Sequence, residues 1–548
     1  MSAPGPGPGD GSTDAGTTEV LIIGGGPVGL SLALLLDRLG IGCVVIERNS
    51  GPTDYPKARG CNQRTMELFR QWGIERRLRD RGLPEDAAPF IVAESVTGRE
   101  YGRGVPDPPD PLLSPSWTCT VTQDLVEAEL VAAVRAGTTT RLSHDTVFVS
   151  LTDHGSHVET LVAPVGGGTP SAWRSRYVVA ADGAASPTRA HLGISMCGPE
   201  TLAVWANDFW QGDHSLFPKA RETMAFIVAP SSPDGMMSIL FTSDAAGRML
   251  SWRPVAVTED GRAVPEPDDV AIRRIREQVG LSGIEVRLLH RAIWRMSAQV
   301  AAEYRRGNTF LAGDAAHRFP PTGGLGMNTG IQDAHNLAWK LAFVLRGQAG
   351  DALLDTYETE RRPVALSNTE WSVVNNARMA ELLAAVRDGN PDRIGFWLDD
   401  MINHYHFAGR SLGFRYGAGA LIPDSSTAEP LDSRHYRPTD RPGSRFPHLW
   451  LDAGRTRSTL DWFDRCFALV AGPEGEPWKR AAASAAAAVN ADLDVHTLPC
   501  DGWAHGVRTG RRGASLVRPD GHVAWRCPWL PADPAAELAA AWSAVLSR

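Results

Sequence analysis

The chain has 548 residues, which at roughly 100–200 residues per domain allows three or four domains and a core that needs no metal or disulfide staple. Hydrophobic residues make up 43% and charged residues 22%, and 55 Lys+Arg against 63 Asp+Glu leave a net charge of −8, which argues against nucleic acid or an anionic membrane as partner. Seven cysteines (Cys43, Cys61, Cys119, Cys197, Cys466, Cys500, Cys527) are odd in number, widely spaced and without a CxxC pair, so neither a disulfide framework nor a zinc site is expected and a cytoplasmic location is the simplest. Residues 1–18 lack the basic start and apolar core of a signal peptide and read as a disordered leader. No stretch reaches the ~20 apolar residues of a spanning helix.

In chain order, residues 19–23 read as a buried strand, a glycine turn follows, residues 28–39 carry helical apolar spacing, and 43–46 is a second β-branched strand. This is one βαβ unit. Residues 62–81 look helical, the Pro-rich stretch 102–116 is loop, and 125–135 is helix. A strand at 177–181 runs into AADGAASPTR. Between 200 and 300 the βαβ rhythm stops, and strand-like stretches rich in aromatics (Trp205, Phe209, Trp210, Phe226, Phe241, Trp252) predict an inserted sheet. Burial in an ordinary sheet core accounts for most of these rings. A strand at 310–312 and a strong helix at 331–345 follow, the latter with Ile331, Ala334, Leu337, Ala338 and Leu341 at spacings of three and four.

The domain expectation is a discontinuous nucleotide-binding unit (19–199 with 300–350), an inserted sheet domain (200–299), a helical segment (351–422), a linker (423–447) and a small C-terminal α/β unit (448–548).

Gly24-Gly25-Gly26-Pro27-Val28-Gly29 fits GxGxxG between a strand and a helix. Gly24 makes the tight turn, Gly26 admits a pyrophosphate to the backbone, and Gly29 lets helix and strand pack closely. The helix N-terminus offers free N–H groups and a positive dipole end to phosphate. Glu47 ends the second strand, where a carboxylate accepts from ribose hydroxyls and repels a 2′-phosphate. Further on, Gly313-Asp314 follows a strand and could hold the hydroxyls of a sugar alcohol. The turn Pro320-Pro321-Thr322-Gly323-Gly324-Leu325-Gly326-Met327-Asn328 then enters the strong helix, and its N–H groups form an anion hole.

Three motifs resemble the fingerprints of the FAD-dependent aromatic hydroxylases of the para-hydroxybenzoate hydroxylase fold: the GxGxxG, the DG motif Asp182-Gly183-Ala184-Ala185-Ser186-Pro187-Thr188-Arg189, and the GD motif Gly313-Asp314. Asn62-Gln63-Arg64-Thr65-Met66-Glu67 and Tyr357-Glu358-Thr359-Glu360-Arg361-Arg362-Pro363 look like the phenol and polyketide hydroxylase branch. The resemblance runs from about residue 19 to the end of the chain. It implies an α/β fold: a Rossmann-type FAD-binding domain, an inserted mixed β-sheet substrate domain, a helical segment and a C-terminal thioredoxin-like domain. For the last, the matching residues are Pro442-Gly443-Ser444-Arg445, Leu516-Val517-Arg518-Pro519-Asp520-Gly521 and Trp525-Arg526. Without CxxC that domain has no dithiol redox role.

By the same resemblance FAD is bound by Gly24, Gly26, Pro27 and Gly29, with Glu47 and Arg48 at the adenosine end. Gln123 matches a flavin-contacting glutamine, and Asp314 takes the ribitol. Pro321, Gly324, Gly326, Met327 and Asn328 lie at the pyrimidine edge of the flavin. Asp182 matches a position assigned to both FAD and NAD(P)H, and Arg189 one assigned to NAD(P)H recognition. The family's Pro-Arg-Ala is here Pro56-Lys57-Ala58-Arg59, and Arg59 is expected to replace the guanidinium.

The implied reaction consumes NADPH or NADH and O2, and hydroxylates a phenolic or multi-ring polyketide substrate through a flavin C4a-hydroperoxide, the protein positioning and desolvating the cofactor. The protein is expected as a monomer or homodimer. No general base can be named; Asp208, Asp213, His214 and Arg221 only satisfy residue type. No metal site is expected, because His404-Tyr405-His406 and the His154/His157 pair lack further ligands. Three alternatives stay open. The first is a flavin halogenase, whose WxWxIP-type motif is absent. The second is Baeyer–Villiger insertion or oxidative rearrangement on a polyketide, and the third a non-catalytic flavin-binding protein.

Overall fold

The computed structural model describes residues 13–105, 107–228, 238–242, 247–258, 262, 264, 266–499 and 506–548. The apolar run after the leader forms the centre of the first sheet. Strand Thr13–Ile23 pairs in parallel with Cys43–Ile46 on one side and Ser171–Ala180 on the other. Thr140–Ser143 and Thr309–Leu311 extend the parallel order outward. Val20, Leu21 and Ile22 have no exposed surface, as expected of a strand covered on both faces. Helix Pro27–Arg38 lies on this sheet and packs against helix Leu325–Leu345. Nearly all of the latter is buried, which explains its apolar residues on more than one face.

The strand begins earlier than composition suggests. Residues 13–18, assigned above to the leader, pair with 171–175 through a bulge between Asp14 and Gly16. That glycine sits at φ +131 against the Trp173 ring, where a Cβ would approach to 3.1 Å. Residues 1–12 lie outside the described residues.

A seven-stranded sheet forms the second layer, in the order Arg287–Met296, Ala203–Gln211, Arg248–Pro254, Ser238–Thr242, Ala225–Val228, Ile91–Ala93, Glu100–Arg103. Its last two strands come from the segment given above to the nucleotide-binding unit. Ile91–Ala93 pairs in parallel with Ala225–Val228, a long-range match that a three-residue apolar run does not announce. One face packs Trp210, Phe226, Leu240 and Met249 against Ile275 and Val279 of helix Asp268–Val279. The opposite face meets Leu382, Leu383 and Val386 of the long helix Thr356–Arg387.

The C-terminal unit is a four-stranded sheet built on Phe467–Ala471. This strand pairs in parallel with Leu493–Thr497 across helix Glu476–Val489, and antiparallel with Ala514–Val517, which hairpins to Val523–Cys527 before helix Pro534–Val545. This is the thioredoxin-like arrangement. Its core is continuous with that of the first sheet: Phe467 meets Trp339 and Phe343 edge-on at 5.5 Å. Segment 423–447 carries no helix or strand, yet it is not a free tether. Asp440, fully buried, accepts from the backbone of Arg508 and Thr509 and from Arg526, and Arg445 reaches the buried Glu67. Among the described residues no helix is long and apolar enough to cross a membrane.

Candidate active site

Between the two large sheets lies a continuous cavity of about 1500 Å³, bordered by all three glycine-containing turns. At its first-sheet end Gly24 turns at φ +108, and a Cβ there would lie 2.3 Å from the Ala181 carbonyl oxygen. Gly29 does not border the cavity. Its α-carbon faces Gly24, whose carbonyl oxygen would sit 1.9 Å from an added Cβ, so it serves helix–strand packing. Gly26 differs from both: nothing lies within 4 Å of a Cβ placed on it, because it opens on the cavity. Pro27 occupies the first helical turn, where its missing N–H costs nothing. Glu47 accepts from the backbone N–H of Gly25 at 2.7 Å and of Asn49 at 2.8 Å, which pins the glycine turn, and Arg48 extends exposed at the rim.

Opposite, Asp182 accepts from the Thr188 backbone at 3.0 Å with one carboxylate oxygen, while the other, Oδ1, is buried without a partner. Arg189, from the same motif, does not reach the cavity. Its guanidinium donates to the carbonyls of Ala315 (2.9 Å) and Ala184 (3.2 Å), so it splints the DG turn to the GD turn.

Asp314 projects into the cavity from the GD turn and makes no hydrogen bond among the described residues. Protein walls surround this opening, and that desolvation raises its pKa against the opposing charges of His317, Lys57 and Arg318. The turn is held from behind. Buried Asp333 accepts from the Gly313 N–H at 3.2 Å, from His317 Nε2 at 2.7 Å and from Arg361 Nε at 2.7 Å. Burial opposes its ionisation, but Arg361 and His317 keep its pKa below the usual range.

Helix Leu325–Leu345 starts at Gly324, which takes φ +62 and has no side-chain cap, so the first N–H groups face the cavity without intrahelical partners. Pro321, Gly324, Gly326 and Met327 border the space. Asn328 also borders it, but its amide is fully engaged: it accepts from Asn62 N at 2.9 Å and donates to the carbonyls of Gly60 and Gly324. It holds the 60–62 loop and offers a ligand little. Gln123 acts similarly, accepting from Ala58 N at 3.2 Å and donating to Glu127 at 2.8 Å.

That loop contains the largest departure from expectation. Arg59 turns towards the second sheet, donating to the Thr242 carbonyl at 3.2 Å with its guanidinium 4.4 Å from the centroid of Phe241. Lys57 instead stands exposed on the cavity within electrostatic reach of Asp314 and Glu127. Sequence reasoning passed it over because a lysine in place of the expected arginine drew attention to the next guanidinium along.

The second-sheet end of the cavity is apolar. Ala225, Ile227, Ile239, Phe241, Trp252 and Trp294 line it, the alternate positions of strands whose other residues form the core. Met379, Met401, His404, Tyr405 and Phe407 close it from the helical segment. Burial, with Arg378 adding to it, pushes the His404 pKa down to about 4, although a hydrogen bond to the Asn375 carbonyl opposes this. The imidazole is therefore neutral at pH 7. Nothing in the isolated HxH pattern marked it as a cavity residue. None of Asp208, Asp213, His214 and Arg221 borders the cavity: Asp208 is locked to Arg274 and Arg291, and Asp213 caps a short helical turn.

These features fit a flavin dinucleotide: an open cradle at Gly26, an unbonded Asp314 carboxylate and uncapped helix N–H groups border one space, which Asp182, with one oxygen left without a partner, also lines. The comparisons agree. The FAD binding domain family matches residues 17–372, and the aromatic-ring hydroxylase C-terminal family matches 439–548. The chain belongs to the FAD-dependent aromatic-ring hydroxylases and is an FAD-dependent aromatic monooxygenase. It is 36% identical to the tetracenomycin A2 monooxygenase-dioxygenase of Streptomyces glaucescens, over 96% of this chain and 97% of that protein. Among solved structures it superimposes on the flavin-dependent monooxygenase PieE in complex with FAD and substrate, with TM-score 0.88, 32% identity and coverage of 97% and 100%. It also superimposes on aklavinone-11 hydroxylase in its ternary complex with FAD and aklavinone, with TM-score 0.83, 29% identity and coverage of 97% and 99%.

Proposed function

We propose that this enzyme uses NADPH or NADH and O2 to hydroxylate a multi-ring aromatic substrate of the polyketide kind, in the tailoring of a secondary metabolite. FAD supplies the redox chemistry, taking two electrons from the nicotinamide and passing one oxygen atom of O2 to the substrate. Gly24, Gly26 and Pro27 receive its pyrophosphate at the helix start, Glu47 and Arg48 its adenosine end, and Asp182 and Asp314 its hydroxyls. The N–H groups of residues 325–327 stabilise negative charge on the flavin. Lys57, rather than Arg59, supplies the cation on this side. The second sheet with strands 91–103 forms the substrate-binding unit, and its aromatic wall excludes water from the reacting ring.

A single observation carries this reading: one continuous cavity joins the glycine turns to an aromatic wall, and its volume of about 1500 Å³ exceeds the ~300–1,000 Å³ typical of a single-ligand pocket. Cofactor and substrate therefore have room side by side. Relatives and neighbours named for tetracenomycin and aklavinone support a multi-ring substrate over a simple phenol. The test is a panel of hydroxylated anthraquinones and naphthacenes against simple phenols, scored by substrate-stimulated NAD(P)H oxidation and product mass. Stimulation by the multi-ring compounds, with one oxygen gained and the carbon skeleton kept, is expected. Stimulation by phenol alone would contradict the substrate class, and a skeleton opened by insertion would contradict hydroxylation.

A further inference from the structure

Arg59 is a buried cation with an incomplete shell. It is 7% exposed, and of its guanidinium nitrogens one donates to the Thr242 carbonyl while Nε and the second amino nitrogen have no partner. Among the described residues it forms no ion pair; the acid within electrostatic reach, Asp124 on helix Gln123–Arg135, lies beyond hydrogen-bonding range. Strand Ser238–Thr242, which packs against it from the other side, contributes no titratable group. Its own loop adds a second cation, Lys57, two residues earlier. An arginine left this way is costly unless something completes its hydrogen bonding.

Its position indicates what does so. The guanidinium lies over Phe241, buried just behind the wall that carries Trp252, and Arg59 itself borders the cavity there. A buried guanidinium beside aromatic faces suits a planar ligand with an acceptor oxygen at its edge.

We infer that Arg59 reads an acidic oxygen of the substrate, a phenolate or enolate conjugated with the ring, and holds it in its ionised form. The inference rests on the aromatic-substrate reading above and adds the group by which the substrate is recognised. The substrate hydroxyl gives its proton to bulk water on binding, and the negative oxygen then feeds electron density into the ring that is to accept oxygen. No side-chain base has to stand beside that hydroxyl, and among the described residues the strands of the second sheet bring no carboxylate to the cavity. Burial lowers the Arg59 pKa to about 9, with Asp124 opposing, so the side chain stays cationic at neutral pH.

The test uses FAD-loaded enzyme and 1,2-dihydroxyanthraquinone, whose colour reports its ionisation. Wild-type enzyme should bind the dye and lower its apparent ionisation pH by about one unit or more. Arg59→Met should abolish that shift and weaken dye binding about tenfold, with FAD content unchanged, while Arg59→Lys should retain part of the shift. Arg59→Gln, which keeps a donor for the Thr242 carbonyl, replaces the methionine variant if that one fails to fold. A full shift in either neutral variant would overturn the inference. So would loss of FAD with the shift intact, which would return Arg59 to the cofactor. Failure of the wild-type holoenzyme to bind the dye would contradict the aromatic-substrate reading itself, and the inference with it.

Discussion

Of the four glycines in residues 24–29, Gly24, Gly26 and Gly29 have separate jobs, and substitution distinguishes them. Gly29→Ala drives a methyl into the Gly24 carbonyl at 1.9 Å, an overpacking that should cost about 1–3 kcal/mol and lower the melting temperature of the apoprotein. Gly26→Val meets no protein atom within 4 Å, so the apoprotein should melt like wild type while FAD binding weakens about tenfold or more. Asp314 is predicted to trade stability for binding. Its folded pKa is raised, so the ionised form is penalised in the folded state only. The penalty is fully present above that pKa and vanishes once the carboxyl is protonated in both states. Asp314→Asn should therefore raise the apoprotein's melting temperature at pH 7, an advantage that shrinks as pH falls through the carboxylate range, and should weaken FAD. Paired melting curves and fluorescence titrations check all three variants. The glycine turn was legible in the sequence because its requirements are local. The roles of Lys57 and Arg59 were not, because helix Gln123–Arg135 and strand Ser238–Thr242, both distant in sequence, decide which cation faces which wall.

At the scale of elements, the aromatic-rich region divides by alternation. Trp210 has no exposed surface and packs towards helix Asp268–Val279, whereas Trp252 lines the cavity and meets Phe241 and Trp294 edge-on. Trp210→Ala should cost about 3–5 kcal/mol of stability. Trp252→Ala should leave FAD affinity unchanged and raise KM for the aromatic substrate about tenfold or more, measurable by steady-state NAD(P)H oxidation. The sequence signalled a sheet and its aromatics but not which ring faces which side, since that depends on register and on the distant strand Ile91–Ala93. The same limit affected Arg189. Its motif position was recognisable, but only the approach of the Ala315 carbonyl shows that its guanidinium is already engaged.

Across the whole molecule, buried charge locks the C-terminal unit onto the helix that begins at the cavity. Glu360 accepts from Lys340 at 2.8 Å and from Arg518 at 2.7 and 2.9 Å, and Arg518 also holds Asp520. A second cluster ties Glu67 to Arg64 and Arg445. Burial alone would raise the Glu360 pKa, but Arg518 and Lys340 bring it down to about 2. A depressed carboxyl pKa contributes stability that is present above the ordinary carboxylate range and lost as pH falls through about 2. Acid unfolding should therefore release the C-terminal unit and the FAD together, seen as coincident loss of tryptophan and flavin signals. Arg518→Ala, which leaves buried Asp520 without its guanidinium and Glu360 with Lys340 as its remaining cation, should cost about 3–5 kcal/mol. A charge-rich segment at 423–447 reads as a linker in sequence, because a chain with no periodic pattern gives no sign that its charges are paired in an interface.

The central claim is that one cavity brings FAD and an aromatic ring together so that an atom of dioxygen enters that ring. The most direct measurement is turnover under isotopically heavy O2 in ordinary water, followed by mass analysis of the product from the best compound of the panel. The account predicts one heavy oxygen per hydroxylated product, with NAD(P)H consumed in step. A product oxygen drawn from water, or NAD(P)H consumption with all the dioxygen recovered as peroxide and the ring unchanged, would contradict it.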